Sequence, residues 1–346
     1  MTCTQTSRFA DSLFEKLKSV RTDSPLCQYT PERCAQLAPI ILKILELKKT
    51  KNALILAHSY VHPDIIYGVA DHTGDSYGLA KRAMEAEQDT IVFPSVRFMA
   101  ETAKILNPDK TVIDPNPNGG CSLADSVTAE DVLRLRERYP SHSFVCYINT
   151  TAAVKAACDV CVTSSNVYKS IENIPNDKIF FLPDKLMGQN LLAHLRKHGI
   201  DKEVICWDGT CYVHEEFEPA HIDLVRHQYP KAKILVHPEC KPEVVEKADV
   251  VDSTTGMLNY VQAHAKDDNA FMLLTECGLV SRLQVEHPST ALVGTCFMCK
   301  YMKSNSLALI EQALRDPRPE QLIEIDPITR DGAVACLKAM FKYAEG

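Results

Sequence analysis

The chain has 346 residues, 45% hydrophobic and 24% charged, which suits a globular protein of two or three domains. A net charge of −7 and a sequence pI near 6.0 leave no footprint for a polyanion, so nucleic acid is not an expected partner. No apolar run reaches the roughly 18 residues of a membrane helix and no signal-peptide core opens the chain, so no membrane partner is expected. Fourteen cysteines in such a chain argue for reduced thiols, metal ligation or redox chemistry rather than a disulfide framework, with the cytoplasm as the expected compartment.

Residues 1–50 predict two helices. Phe9, Leu13 and Leu17, then Leu37, Ile40, Ile41, Ile44 and Leu45, recur at helical spacing, and Lys48 to Asn52 closes this preamble. Its expected role is packing.

From Ala53 onward the chain repeats itself. Three apolar runs, Ala53 to His58, Ser143 to Tyr147 and Lys233 to His237, predict strands that end on His58, Tyr147 and His237 at intervals of 89 and 90 residues. A short helix follows each and ends in an aspartate, at Asp71, Asp159 and Asp249. Hydroxyl-rich loops come next: Gly74 to Ser76, Thr163 to Asn166, and Asp252 to Gly256. Another helix and strand follow in each copy (Thr90 to Phe93, Lys178 to Leu182, Ala270 to Leu274). A third strand (Thr111 to Ile113, Glu203 to Trp207, Ala291 to Val293) then leads to a cysteine. Tyr139-Pro140 and Tyr229-Pro230 mark the same hinge before the second and third copies. Strands alternating with helices predict parallel sheets covered on both faces. The expected fold is α/β, with three Rossmann-like, three-layer α/β/α domains of short parallel sheets, related by pseudo-threefold symmetry around a central cavity. The expected boundaries are 1–139 with the N-terminal helices, 140–229, and 230–346 with the C-terminal helices.

Trp207 to His214 shows best what the repeat delivers: an apolar strand, a glycine turn, Cys211, and His214 three residues on. Cys121 lies 90 residues before Cys211 and Cys299 lies 88 after it. Three equivalent thiolates with no evident fourth suit a [4Fe–4S] cluster with one open iron, since full protein ligation takes four cysteines. Two C-x2-C pairs, Cys158/Cys161 and Cys296/Cys299, stand too far apart for a zinc ribbon; each is either a local redox pair or a pair of buried thiols.

Ser76, Ser164 and Thr254 each precede a helical pattern and are candidate N-caps. One cap is ordinarily structural, but three at equivalent places favour an anionic ligand. His58, Tyr60, Tyr147, His214, His237 and Glu239 are the acid–base candidates at strand ends, each also a plausible half-buried structural residue. Glu101 reads as a helix anchor, and Lys155 and Lys241 as anion partners.

At these residues the chain resembles the quinolinate synthase family. The resemblance runs from about Ala53 to Leu307. Its ordered blocks include Leu56 to Tyr60, Phe98 to Lys104, Gly120 to Asp125, Tyr147 to Asn149, Cys211 to Glu215, His237 to Cys240, Thr275 to Gly278 and Cys299 to Lys303. It implies three α/β domains and an oxygen-sensitive [4Fe–4S] cluster on Cys121, Cys211 and Cys299. It also implies condensation of iminoaspartate with dihydroxyacetone phosphate to quinolinate, with loss of phosphate and two waters. An enzyme that supplies iminoaspartate, such as L-aspartate oxidase, is the partner it implies. Carried over by position, Tyr147, Asn149, Ser164, His214, His237, Glu239, Ser253 and Thr254 would line the substrate site, completed by His58, Tyr60 and Ser76. Tyr60 and Glu239 would carry protons, His237 would assist dehydration, and the open iron would activate the last leaving hydroxyl.

Two departures stand out. Ser59 occupies a position where the family commonly has Tyr or Asn, and Val293 stands where some relatives carry a further cysteine. Cys296 is expected to be a bystander, with a Cys296–Cys299 disulfide as the alternative. The rival readings are an aconitase-type hydro-lyase, which leaves the three anion caps unexplained, and a zinc or thiol-redox binding protein.

Overall fold

The computed structural model describes residues 3–21, 28–266 and 270–345. Helices α1 (Cys3–Leu17) and α2 (Pro31–Thr50) form the preamble. Leu13, Leu17, Ile41 and Ile44 are buried, and Phe9, Leu37, Ile40 and Leu45 pack against the same core. The first unit runs β1 (Ala53–His58), α3 (Pro63–Gly68), β2 (His72–Gly74), α4 (Ser76–Met84), β3 (Thr90–Val92), α5 (Arg97–Leu106), β4 (Thr111–Ile113). Helix α6 (Ala129–Arg138) leads into the second: β5 (Ser143–Tyr147), α7 (Ala152–Ala156), β6 (Val160–Val162), α8 (Val167–Asn173), β7 (Lys178–Leu182), α9 (Lys185–Lys197), β8 (Glu203–Cys206). After α10 (Tyr212–Glu215) and α11 (Pro219–Gln228), the third unit runs β9 (Lys233–Val236), α12 (Pro242–Val245), β10 (Val250–Val251), α13 (Thr254–His264), β11 (Phe271–Leu274), α14 (Cys277–Glu286). Helices α15 (Lys300–Lys303), α16 (Leu307–Arg315) and α17 (Pro327–Glu345) follow.

Every sheet is parallel, with strand orders β2-β1-β3-β4, β6-β5-β7-β8 and β10-β9-β11. The third sheet lacks the fourth strand expected at Ala291 to Val293. Only a single parallel bridge forms there, Phe271 to Leu292. The physical reason is Gly294, whose φ of +89° turns the chain off the sheet edge just after that bridge.

The three aspartates that end the short helices do one structural job. Asp71, Asp159 and Asp249 each accept a hydrogen bond from a strand N–H, that of Ile55, Phe144 and Ile234, at 2.7–2.8 Å. Each returns its own backbone N–H to the carbonyl of the same strand residue at 2.9 Å. A cation from the helix before the strand closes the clamp: Lys48, Arg136 and Arg226 pair with the three carboxylates. Each cation also donates to a carbonyl two residues before its aspartate, that of Val69, Ala157 or Lys247. A carboxylate is needed because it alone accepts from backbone and cation together.

The last helices do not stay with the third unit. Helix α16 packs on α2, while α17 packs on α7, β6 and α8, burying Ala333, Cys336, Leu337 and Met340. Among the described residues no helix is long and apolar enough to cross a membrane.

Candidate active site

In parallel sheets the strand C-termini and the loops after them collect ligand-binding groups. Here His58 and Tyr147 end β1 and β5, His237 directly follows β9, and all three line one cavity. Tyr60, Ser76, Asn149, Ser164, His214, Glu239 and Thr254 line it too, as do Cys121, Cys211 and Cys299. Of the expected lining residues only Ser253 is absent. Its hydroxyl accepts from the Gly256 N–H and caps α13 instead.

The three cysteines share a local geometry. Each begins a one-turn segment, so the Cys121, Cys211 and Cys299 carbonyls accept from the N–H groups of Asp125, Glu215 and Lys303 at 2.9–3.0 Å. None is paired with another cysteine, and all three are half-buried. Burial pushes the Cys121 thiol up to about 12 and the Cys211 thiol well above its ordinary range. A metal bound there must displace these protons, which thiolate-seeking ions do. Among the described residues no other cysteine lines the cavity. Three unpaired thiols lining one cavity are a donor set that fits an iron–sulfur cluster.

The polar wall of the cavity is a connected set of acids and bases. The Tyr60 hydroxyl lies 2.7 Å from Thr254 Oγ1 and 2.6 Å from Thr275 Oγ1. The Tyr147 hydroxyl donates to Glu239 Oε1 at 2.6 Å. His214 Nδ1 stands 3.2 Å from both Cys211 Sγ and Glu239 Oε2, and its Nε2 is 3.1 Å from Thr275 Oγ1. Glu239 Oε2 is buried with no well-aligned hydrogen bond. Among the described residues, Cys211, His214 and Glu239 form the one set of three ligand-type atoms within 4.8 Å of one another.

Burial fixes the protonation of this wall. Desolvation holds His58 and His237 down to about 3, with Lys303 adding to the effect at His58 and His214 at His237. Their Nδ1 atoms accept from the N–H groups of Tyr60 and Glu239, so each ring is neutral with its proton on Nε2. Burial also drives Tyr60 and Tyr147 well above the usual phenol range, with the Glu239 charge second at Tyr147. Burial alone would raise Glu239, but His214, His237 and the Tyr147 hydroxyl hold it below the ordinary carboxylate range.

Several expectations shift. The N-caps lie next to the predicted residues: Asp75 caps α4, Ser253 caps α13, and Asn166 opens α8 without a side-chain cap. Ser76 and Thr254 are the first helical residues, and Ser164 stays in the loop. Lys155 and Lys241 are not anion partners, since Lys155 is buried with its ammonium on the carbonyls of Ile148 and Thr150, and Lys241 pairs with Glu218 at the surface. Glu101 is an anchor, accepting from the Ala152 N–H at the start of α7. Cys296 is neither a bystander nor bonded to Cys299; it forms a disulfide with Cys277.

Thr275 and Glu276 lie in one of the family blocks but carry no role that the sequence predicts. Glu276 caps α14, accepts from the Cys299 N–H at 3.1 Å and pairs with Lys303, so it sets the loop that carries the third thiol. Gly278 is required there because a Cβ would fall 2.5 Å from Tyr60 Cα.

A family profile described as Quinolinate synthetase A protein matches residues 42–342. The chain belongs to this family. It is similar to quinolinate synthase 1 of Mesorhizobium japonicum, with 45% identity over 284 residues, covering 82% of this chain and 85% of the relative. It is also similar to the quinolinate synthases of Xylella fastidiosa (43% over 281 residues, 81% of each chain) and Agrobacterium fabrum (43% over 299 residues, 86% and 84%). The matched span contains all three sheets and the three cavity cysteines, so the family relationship covers the whole candidate site.

Proposed function

We propose that this chain is a quinolinate synthase, condensing iminoaspartate with dihydroxyacetone phosphate to quinolinate and releasing phosphate and two waters. The observation that carries the reading is the meeting of three unpaired thiols with a desolvated Tyr–Glu–His wall in one cavity. Cys121, Cys211 and Cys299 would hold a [4Fe–4S] cluster. Bound there, the cluster supplies a Lewis-acidic iron for a substrate oxygen.

The chain's own residues divide the remaining work by protonation state. Tyr60 keeps its proton and is the donor. Glu239 is ionised, oriented by Tyr147 and His214, and is the acceptor. Neutral His237 offers an Nε2–H to a departing hydroxyl, and His58 does the same from the first unit. Ser76, Ser164 and Thr254, with Ser253 seating α13, present hydroxyls and free helix N–H groups to the phosphate and carboxylates, while Asn149 orients them. Iminoaspartate is short-lived in water, so an aspartate-oxidising enzyme such as L-aspartate oxidase is the source that fits. Three domains, 1–139, 140–229 and 230–346, the last lending α16 and α17 to the cores of the first and second, related by a pseudo-threefold axis through the cavity, fit the matching clamps and cysteine turns. Thiols that must stay reduced favour a cytoplasmic setting.

Anaerobic purification with iron and sulfide counts, followed by a quinolinate assay with both substrates, tests the reading. Brown protein with equal iron and sulfide and quinolinate formation is expected. A colourless protein carrying a single ion on Cys211, His214 and Glu239, with no sulfide, would overturn it.

A further inference from the structure

Outside the cavity, a second group of thiols has no assigned role. Cys146 on β5 and Cys161 on the edge strand β6 are register partners in the second sheet, Cys158 lies just before β6, and Cys336 comes in from α17. All four are unpaired and buried, at 0–6% exposure. Cys146 Sγ and Cys336 Sγ are 3.7 Å apart. Two sulfurs on one tetrahedral zinc, with bonds of about 2.3 Å, stand about 3.8 Å apart, so this pair already has the right edge length. Cys158 and Cys161 have the C-x2-C spacing of a metal knuckle.

We propose that Cys146, Cys158, Cys161 and Cys336 form a binding site for a thiolate-seeking closed-shell cation of the zinc class, separate from the catalytic cavity.

The charge around the group favours this use. Lys155 is fully buried, its ammonium donates to the Ile148 and Thr150 carbonyls and stands 5.5 Å from the centre of the Phe98 ring, and it has no carboxylate partner among the described residues. A buried cation of this kind is stabilised by a nearby anion. A divalent cation bound here displaces the protons of all four thiols, and the neighbouring Lys155 offsets part of the negative charge of the resulting tetrathiolate. No three of the four sulfurs lie within 4.8 Å of one another, so binding requires side-chain rotation that draws them inward around Cys146. Because Cys336 is on the last helix, the cation would tie α17 to the second sheet.

The test uses the full chain, purified anaerobically with its iron loaded, incubated with zinc and freed of loose metal. About one additional zinc per chain is expected, with iron unchanged and a zinc-edge absorption spectrum showing an all-sulfur shell near about 2.3 Å. The Cys158→Ser/Cys161→Ser protein should lose that zinc, and Cys336→Ala, which leaves the sheet intact, should lose most of it. Zinc that displaces iron, zinc retained in both variants, nitrogen or oxygen in the shell, or no zinc uptake would each overturn the proposal. Since iron is counted separately, failure here is distinguishable from failure of the catalytic reading.

Discussion

In the second unit the sheet has four strands and both faces merge into the main core. In the third it has three, and its faces part company. Leu235, Phe271 and Leu273 join the main core, whereas Ile234, Val236, Met272 and Leu274 turn into a small separate one with Phe217 and Val225. Yet Asp159 and Asp249 make the same clamp, and Cys211 and Cys299 begin the same one-turn segment. The difference teaches that a unit here is defined by its clamp and its loop ends. Strand number and core size vary around them.

The largest effect that sharpens this comparison is at the thiols. Cys299→Ser should abolish iron–sulfur loading, as should Cys211→Ser, while Cys240→Ser, a buried thiol of the third unit away from the cavity, should leave iron and sulfide unchanged. Loading that survives in Cys299→Ser would mean the third unit does not share the site. Next in size are Tyr60→Phe and Glu239→Gln, expected to lower turnover by about 10²-fold or more with the cluster spectrum intact. Full activity in either variant removes its proton-carrying role.

The clamp comes third. Asp159→Ala and Asp249→Ala each strip a buried N–H of its partner and should cost about 1–3 kcal/mol in urea unfolding, with the larger loss in the third unit, whose separate core is small. A negligible cost in both would break the comparison. A last test is the acid sensitivity of the metal-free protein. His58 and His237 take up protons at their ordinary 6.5 when unfolded but resist to about 3 when folded. The unfolded chain thus binds more protons across that window, and stability present above 6.5 is lost as the pH falls through it. Tyr147, at the equivalent place in the second unit, does not titrate there, so His237→Asn should flatten the profile and Tyr147→Phe should not.

Much of this was legible because parallel strands are continuous apolar runs, so the three strand ends, the aspartates and the cysteines stood out at one period. The caps slipped by one residue because Asp75 and Ser253 are as able to cap as the hydroxyls beside them, and spacing alone does not choose. Thr275 and Glu276 stayed hidden because their roles depend on Tyr60, His214 and Lys303, far away in the chain. The missing strand at Ala291 to Val293 turned on the sign of one backbone angle at Gly294. Cys296 found Cys277 because the start of α14 lies alongside the segment before Cys299, a placement that a C-x2-C spacing cannot convey.

Helix α17 is synthesised well after β8, the last strand of the middle unit, yet it finishes that unit. Until it docks, Cys336, Leu337 and Met340 leave a gap over β6 and α7. The middle third of the chain must therefore wait, partly open, while about 130 further residues are synthesised, and it is the stretch in which nascent chains have most need of protection by a chaperone.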